Sequence, residues 1–340
     1  MNRARPVAGA LTLVDVATGR VLAAVELGDT SHGSLLVDAR SPAASVFKLV
    51  TTIALYERTS VTPATRVCTK GGLRSIAAEH LVPGTGDGVV CSSFHQALGT
   101  SRNAAYAQLA SRYLTPRDLL DTAERLGFNH PLSGQLPGTV GSLSVPEPSL
   151  DFARTAAGFE NSKLSVFGAA ELALAIARGG EHVPLRLYEE RADALPLVEP
   201  APRRLFSDRT AQRLRHSMEF TIHSGTAHDS FIDATGQRAL GAIQAAGKTG
   251  TLRPRGSELT SSWFVGFAPS DKPRVVVSVV LLNSDLWFQK GQQLARDLLR
   301  VYFAKAGVPG VTAPWTPGEG SVAQPLATRS REAEGQEQPD

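Results

Sequence analysis

Ser45-Val46-Phe47-Lys48 sets a hydroxyl and an amine three residues apart within Ser41-Pro42-Ala43-Ala44-Ser45-Val46-Phe47-Lys48-Leu49-Val50. Apolar residues recur at Val46, Leu49, Val50 and Ile53, the spacing of a helix with one buried face. Residues three apart on a helix share a side, so the amine of Lys48 can reach Ser45. Ser41-Pro42 reads as a start signal, because proline suits a first helical turn, and the helix is expected over 42–58. A serine hydroxyl attacks a carbonyl only once a base takes its proton, and a lysine of lowered pKa can be that base. Chance supplies S-x-x-K easily, and the plain alternative is a core helix that merely contains both residues.

Two other short patterns carry groups that such a pair would need. Ser101-Arg102-Asn103 opens the helical run 102–113, so both polar side chains sit at one helix end. The plain reading makes Ser101 an N-cap and Asn103 a first-turn residue. Lys248-Thr249-Gly250-Thr251 ends a strand that begins with the small residues Ala245-Ala246-Gly247. An edge strand with little side-chain bulk lets a substrate backbone pair alongside it; the plain reading is a strand end with an incidental lysine. Most of the positive charge is arginine and lysine is scarce. Arginine keeps its proton, whereas a buried lysine can lose it. Lys48 and Lys248 both fall in these patterns.

The elements that must position these groups follow from periodicity and breakers. Residues 9–16 and 20–27 read as strands of a hairpin turning at Ala17-Thr18-Gly19. Prolines and glycines break up 60–92. Helices are expected at 93–99, 102–113 and 116–126, then an irregular Pro-rich stretch over 129–149. A helix at 165–178 stops at Gly179-Gly180, and another at 207–222 has Ser207 as N-cap. The last third is β-rich, with strands over 242–251, 261–268 and 274–283 before a closing helix at 287–304. The fold class is therefore α/β in composition with α+β segregation. An antiparallel sheet from the N- and C-terminal strands is flanked by helices, and a mainly helical subdomain lies at about 60–165. One domain covers 1–312, and the Pro-, Gly- and Glu-rich stretch 313–340 is expected to be a disordered tail.

Composition narrows the function. The chain has 340 residues, 42% hydrophobic and 20% charged, an ordinary globular composition with length for one large domain or two small ones. Its net charge of +3 comes from scattered basic residues, which argues against nucleic acid as a partner. No apolar run of membrane-spanning length occurs. Met1 to Ala10 has Arg3 and Arg5 but no separate apolar core, and is not read as a secretory signal. Cys68 and Cys91 could form a disulfide, which would fit an oxidising compartment. His80 and His95 lie nearby, yet no C-x-x-C pair is present, so neither a metal nor a cofactor is expected. The pairing of the two cysteines stays open.

Taken in order, the three patterns match S-x-x-K, S-x-N and K-T-G, the set found in penicillin-binding proteins and class A β-lactamases. Residues 9–305 resemble the transpeptidase domain of penicillin-binding proteins. Besides the motifs, VDVATGRVLAAV, FHQALGTSRNAAYAQLA, LSVFGAAELALAIARGG, IHSGTA and SWFVGFAP follow in the order of that family. The resemblance implies a D,D-peptidase/β-lactamase-like fold and a cell-wall enzyme working outside the cytoplasm. Ser45 would attack the D-Ala-D-Ala bond of a peptidoglycan stem peptide and form an acyl-enzyme. Lys48 would be the base, Ser101 a proton relay, and Asn103 a partner of Lys48 and of the substrate amide. Lys248, Thr249, Gly250 and Thr251 would line the place of the substrate carboxylate. The backbone N–H groups of Ser45 and Thr251 would form the oxyanion hole. β-Lactam antibiotics would acylate the same serine, and a glycosyltransferase is a further implied partner. Arg102 replaces the Asp of the S-D-N form, and Ala43-Ala44 stand where many relatives have Pro-Gly. No pedestal domain or anchor precedes the pattern. The alternatives are a D,D-carboxypeptidase, a serine β-lactamase in which Glu147 of Glu147-Pro148-Ser149-Leu150-Asp151 would activate water, with Asp151 where that family has Asn, and a non-catalytic β-lactam sensor.

Overall fold

In the computed structural model the described residues are 5–314, except 32, 134–135, 188–202, 234 and 288. The chain begins with β1 (Ala8–Asp15), β2 (Val21–Leu27) and β3 (Ser41–Pro42), then α1 (Lys48–Arg58). A central stretch follows with β4 (Arg66–Thr69), β5 (Val90–Ser93), α2 (Phe94–Gly99), α3 (Asn103–Tyr113) and α4 (Pro116–Arg125). It continues through β6 (Gly141–Leu143), α5 (Leu150–Ala156), β7 (Ser162–Leu164), α6 (Val166–Ala177) and the short β8 (Glu181–His182) and β9 (Arg203–Arg204). The last third is α7 (Asp208–His223), α8 (His228–Phe231), β10 (Ala246–Leu252), β11 (Thr260–Ala268), β12 (Val275–Asn283) and α9 (Gly291–Lys305).

The two ends of the chain share one antiparallel sheet, in the order β10-β11-β12-β1-β2. β1 joins the ends by pairing with β12, from Ala8 opposite Leu282 to Asp15 opposite Val275. Side chains alternate across a strand, and both faces of this sheet are covered. Leu11, Leu13, Val275, Val277, Val279 and Leu281 pack with Leu294, Leu299 and Phe303 of α9. Ala10, Val14, Val276 and Val280 face the other way, into a core shared with α1 and α6. Two buried faces explain why β12 is nearly all valine and leucine. Gly291 opens α9 four residues later than expected; its N–H donates to Ser262 Oγ (2.9 Å), which ties the helix start to the sheet.

Several sequence expectations change. Ser41-Pro42 is not the start of the helix but the edge strand β3, with Pro42 opposite Lys163 of β7. Proline is tolerated on an edge because it has no N–H to give to a ladder. Residues 44–47 then form a 3-10 turn, and the α-helix begins only at Lys48. Ser101 is not the N-cap of α3; that place belongs to Arg102, which makes no capping side-chain hydrogen bond. Ser101 has a left-handed φ of 57° in the turn between α2 and α3. Residues 242–245 precede the strand expected there, since β10 starts at Ala246. The short strands β4 and β6 also fall in stretches that the breakers mark as irregular, and α5 lies just beyond the second of them. Cys68 and Cys91 lie opposite each other in β4 and β5 and form a disulfide, with Cα atoms 4.0 Å apart. From residue 315 on, the expected tail lies outside the described residues.

Candidate active site

Lys48 is fully buried, and its amine meets three oxygens. Nζ lies 2.7 Å from Ser45 Oγ, 2.7 Å from Asn103 Oδ1 and 2.7 Å from the carbonyl oxygen of Ala157. Each oxygen comes from a different element: the 3-10 turn, the first residue of α3, and the residue that ends α5. Asn103 and Ala157 accept hydrogen bonds whatever the state of the amine. Ser45 can do either. A neutral amine gives its two protons to Asn103 and Ala157 and turns its lone pair to Ser45, whose hydroxyl then donates. Burial, and after it the positive charge of Lys248, hold Lys48 well below the ordinary lysine range.

Asn103 is fixed in turn, because its Nδ2 donates to the carbonyl of Leu73. One turn further along α3, the Tyr106 ring centroid is 5.4 Å from Lys48 Nζ, and the Tyr106 hydroxyl is 2.8 Å from Thr52 Oγ1 of α1. These contacts lock α1 against α3 beneath the amine.

Lys248 forms the opposite wall. It is also fully buried, and its Nζ donates to Ser101 Oγ (3.0 Å) and to the carbonyl of Thr249 (2.9 Å). Burial alone pushes its amine down to about 7. The left-handed turn at Ser101 delivers that hydroxyl, which a helical residue at the same place would direct elsewhere. Thr249 Oγ1 is 2.5 Å from Thr226 Oγ1 in the loop between α7 and α8. Gly250 brings the backbone of β10 against the 3-10 turn that carries Ser45: a Cβ there would sit 3.3 Å from both Ala44 Cβ and Val46 Cγ2. Thr251 is exposed at the open end of β10, an edge strand of the sheet.

Thus Ser45, Lys48 and Asn103 form one hydrogen-bonded group, and Ser101, Lys248 and Thr249 a second, with β10 running beside the turn that carries Ser45. The sequence reading missed three participants. Ala157 acts through its carbonyl and Leu73 through its own, so no side chain advertises them. Thr226 lies within the quoted IHSGTA stretch, and only the fold places it beside Thr249.

A half-buried serine on a fully buried lysine, a second buried lysine and a small-residue edge strand thus share one site. Residues 9–300 match the model of the penicillin binding protein transpeptidase domain, and the chain belongs to that family. Among curated relatives, the peptidoglycan D,D-transpeptidase PbpA of Mycobacterium tuberculosis is 26% identical, over 88% of this chain and 67% of the relative. Among solved structures, a peptidoglycan glycosyltransferase from Burkholderia ambifaria is 26% identical with a TM-score of 0.68, over 88% of this chain and 90% of that one. Penicillin binding protein 3 of Mycobacterium tuberculosis complexed with ampicillin shares the fold at a TM-score of 0.73 and 23% identity, over 95% of this chain and 77% of that one.

Proposed function

We propose that this chain is a peptidoglycan D,D-transpeptidase domain acting through an acyl-enzyme on Ser45. The observation that carries the reading is the Lys48 amine, fully buried and 2.7 Å from Ser45 Oγ, with the charge of Lys248 opposing its protonation. Lys48 takes the Ser45 proton as Oγ bonds to the carbonyl carbon between two D-alanines. The N–H groups of Ser45 and Thr251 receive the developing oxyanion; losing one such donor typically costs about 10²–10³ in rate. The carbon–nitrogen bond then breaks. The proton passes through Ser101 to the departing amine, and D-alanine leaves. Lys248, Thr249 and Thr251 hold the terminal carboxylate, and Asn103 keeps Lys48 in place. An amine of a second stem peptide attacks the ester, restores the Ser45 hydroxyl and completes a cross-link between strands supplied by a glycosyltransferase partner. β-Lactams acylate Ser45 by the same first step.

Two observations favour this reading over a β-lactamase. Glu147 is exposed, and Asp151, with 57% of its side chain exposed, pairs with Arg154 at 3.0 Å. Among the described residues neither Ser45 nor Lys48 has a carboxylate as hydrogen-bond partner. The Cys68–Cys91 disulfide suits an oxidising, extracytoplasmic setting. Among the described residues no helix is long and apolar enough to cross a membrane.

The test is the intact mass of the protein mixed with benzylpenicillin. A long-lived adduct that disappears in Ser45→Ala is expected. An adduct that turns over rapidly would make the protein a β-lactamase, and no adduct at all would remove the enzymatic reading. The two lysines also set a pH profile. Acylation by a carboxylate-bearing D-Ala-D-Ala substrate needs Lys48 without its proton, a state that burial and then the charge of Lys248 favour. The rate falls as Lys248 loses its own near pH 7, by about ten-fold per pH unit beyond that limb. A substrate whose terminal carboxylate is capped as an amide should lack the falling limb. A flat profile for both substrates would show that the lysines do not titrate in these roles.

A further inference from the structure

Past Thr251 the edge of β10 opens into a cleft of about 970 Å³. Its walls carry Arg40, Arg74, Arg154, Lys163, Arg253 and Arg255, with Glu160 the one acidic residue among them. Asp151 pairs with Arg154 and Asp285 with Arg253. Asp29 also acts on Arg40, so the cleft cations for which no ion pair occurs among the described residues include Lys163 and Arg255.

The cleft is built from segments that hold the candidate active site. Arg253 and Arg255 follow Thr251 directly in the chain. Lys163 lies opposite Pro42, three residues before Ser45. Arg74 follows Leu73, whose carbonyl holds Asn103, and Arg154 Nε donates to the carbonyl of Ile76 (3.0 Å) in the same loop.

Direction decides what reaches it. If a donor peptide lies antiparallel to β10, with its terminal carboxylate at Lys248 and Thr249 and its scissile carbonyl at Thr251, its earlier residues run on past Leu252. At about 3.3 Å per residue, the two or three residues before the D-Ala-D-Ala pair then lie along the stretch from Leu252 to Arg255. Neutral side chains there would leave Lys163 and Arg255 with solvent as their partner. Carboxylates would pair with them.

We propose that this cleft selects donor stems bearing a free carboxylate on the residues just before the D-Ala-D-Ala pair, an inference that rests on the function proposed above. Lys163 and Arg255, both exposed, set this specificity, while the lysines of the active site carry out the chemistry.

The experiment reads binding separately from acylation. Two fluorescent peptides ending in D-Ala-D-Ala, with a side-chain carboxylate or the matching carboxamide directly before the pair, are titrated by anisotropy into Ser45→Ala protein. The carboxylate peptide is expected to bind about ten-fold more tightly, with the gap shrinking at high salt because exposed charges are screened. Adding Lys163→Glu and Arg255→Glu should bring the two affinities within about two-fold, while a protein with Ser45 restored reacts with benzylpenicillin at an unchanged rate. Equal affinities for both peptides, or a preference untouched by charge reversal, would overturn the proposal. So would equally tight binding of inorganic polyphosphate, which would mark a general anion surface. A wild-type protein that takes no benzylpenicillin adduct would remove the acyl-transfer reading, and the anisotropy comparison would still decide the cleft.

Discussion

Replacing Lys48 with methionine is expected to slow the acylation of Ser45 by β-lactams about 10²–10⁴-fold, the factor that a positioned general base supplies. Methionine keeps the length and much of the volume of the lysine stem, so packing against Tyr106 and Asn103 is largely preserved. It cannot take a proton. The change leaves Asn103 Oδ1 and the Ala157 carbonyl without their donor, at about 1–3 kcal/mol for each unsatisfied buried group. It also removes a buried amine that resists protonation, which offsets part of that loss. The second-order acylation constant with a labelled penicillin, read beside a circular-dichroism melt, separates the two effects. A folded variant acylated within about three-fold of wild type would exclude Lys48 as the base.

The second large effect belongs to a residue with no chemistry. Gly158 has a φ of +82°, and a Cβ placed on it would lie 2.2 Å from the Ala44 carbonyl oxygen and 3.4 Å from the Ser45 nitrogen. Gly158→Ala therefore combines a left-handed alanine, at about 1–2 kcal/mol, with a clash against backbone, at about 1–3 kcal/mol. The expected loss is about 3 kcal/mol, a fall of roughly 4 °C in melting temperature for a chain of this size. Gly86 is the control, since it has a similar φ of +75° and nothing within 4 Å of its Cβ position; Gly86→Ala should show the conformational part alone. Acylation should fall further in Gly158→Ala than its folded fraction explains, because the displaced backbone carries the Ser45 N–H. Equal melting losses for the two variants would show that the contact with Ala44 carries no strain.

Much of this arrangement was legible in the sequence. The hairpin of β1 and β2, the valine-rich β12 and the helices after Ser101 and Ser165 follow from simple periodicity, because each buries a regular face. The Ser41-Pro42 boundary misled because proline marks both a first helical turn and an edge strand, and only the pairing with Lys163 decides between them. Ser101 misled for a similar reason: its residue type suits a cap, while its left-handed backbone answers to the position of Lys248. The carbonyls of Ala157 and Leu73 left no trace at all. A backbone oxygen has no residue type. Ala44 is the reverse case, where the sequence shows an alanine and the fold demands a φ of +49°, a value more comfortable for glycine.

An edge strand normally guards itself against unwanted pairing with charges, proline or a bulge. β10 has little such protection along Gly247-Lys248-Thr249-Gly250, since its one lysine is buried. A strand that must admit the backbone of a stem peptide has to leave its hydrogen-bonding edge accessible, and that edge has no means of telling a stem peptide from another extended chain. Shielding replaces charge here: Ala246 to Gly250 are buried, so a single extended chain can enter beside β10 where the edge of a second folded sheet cannot.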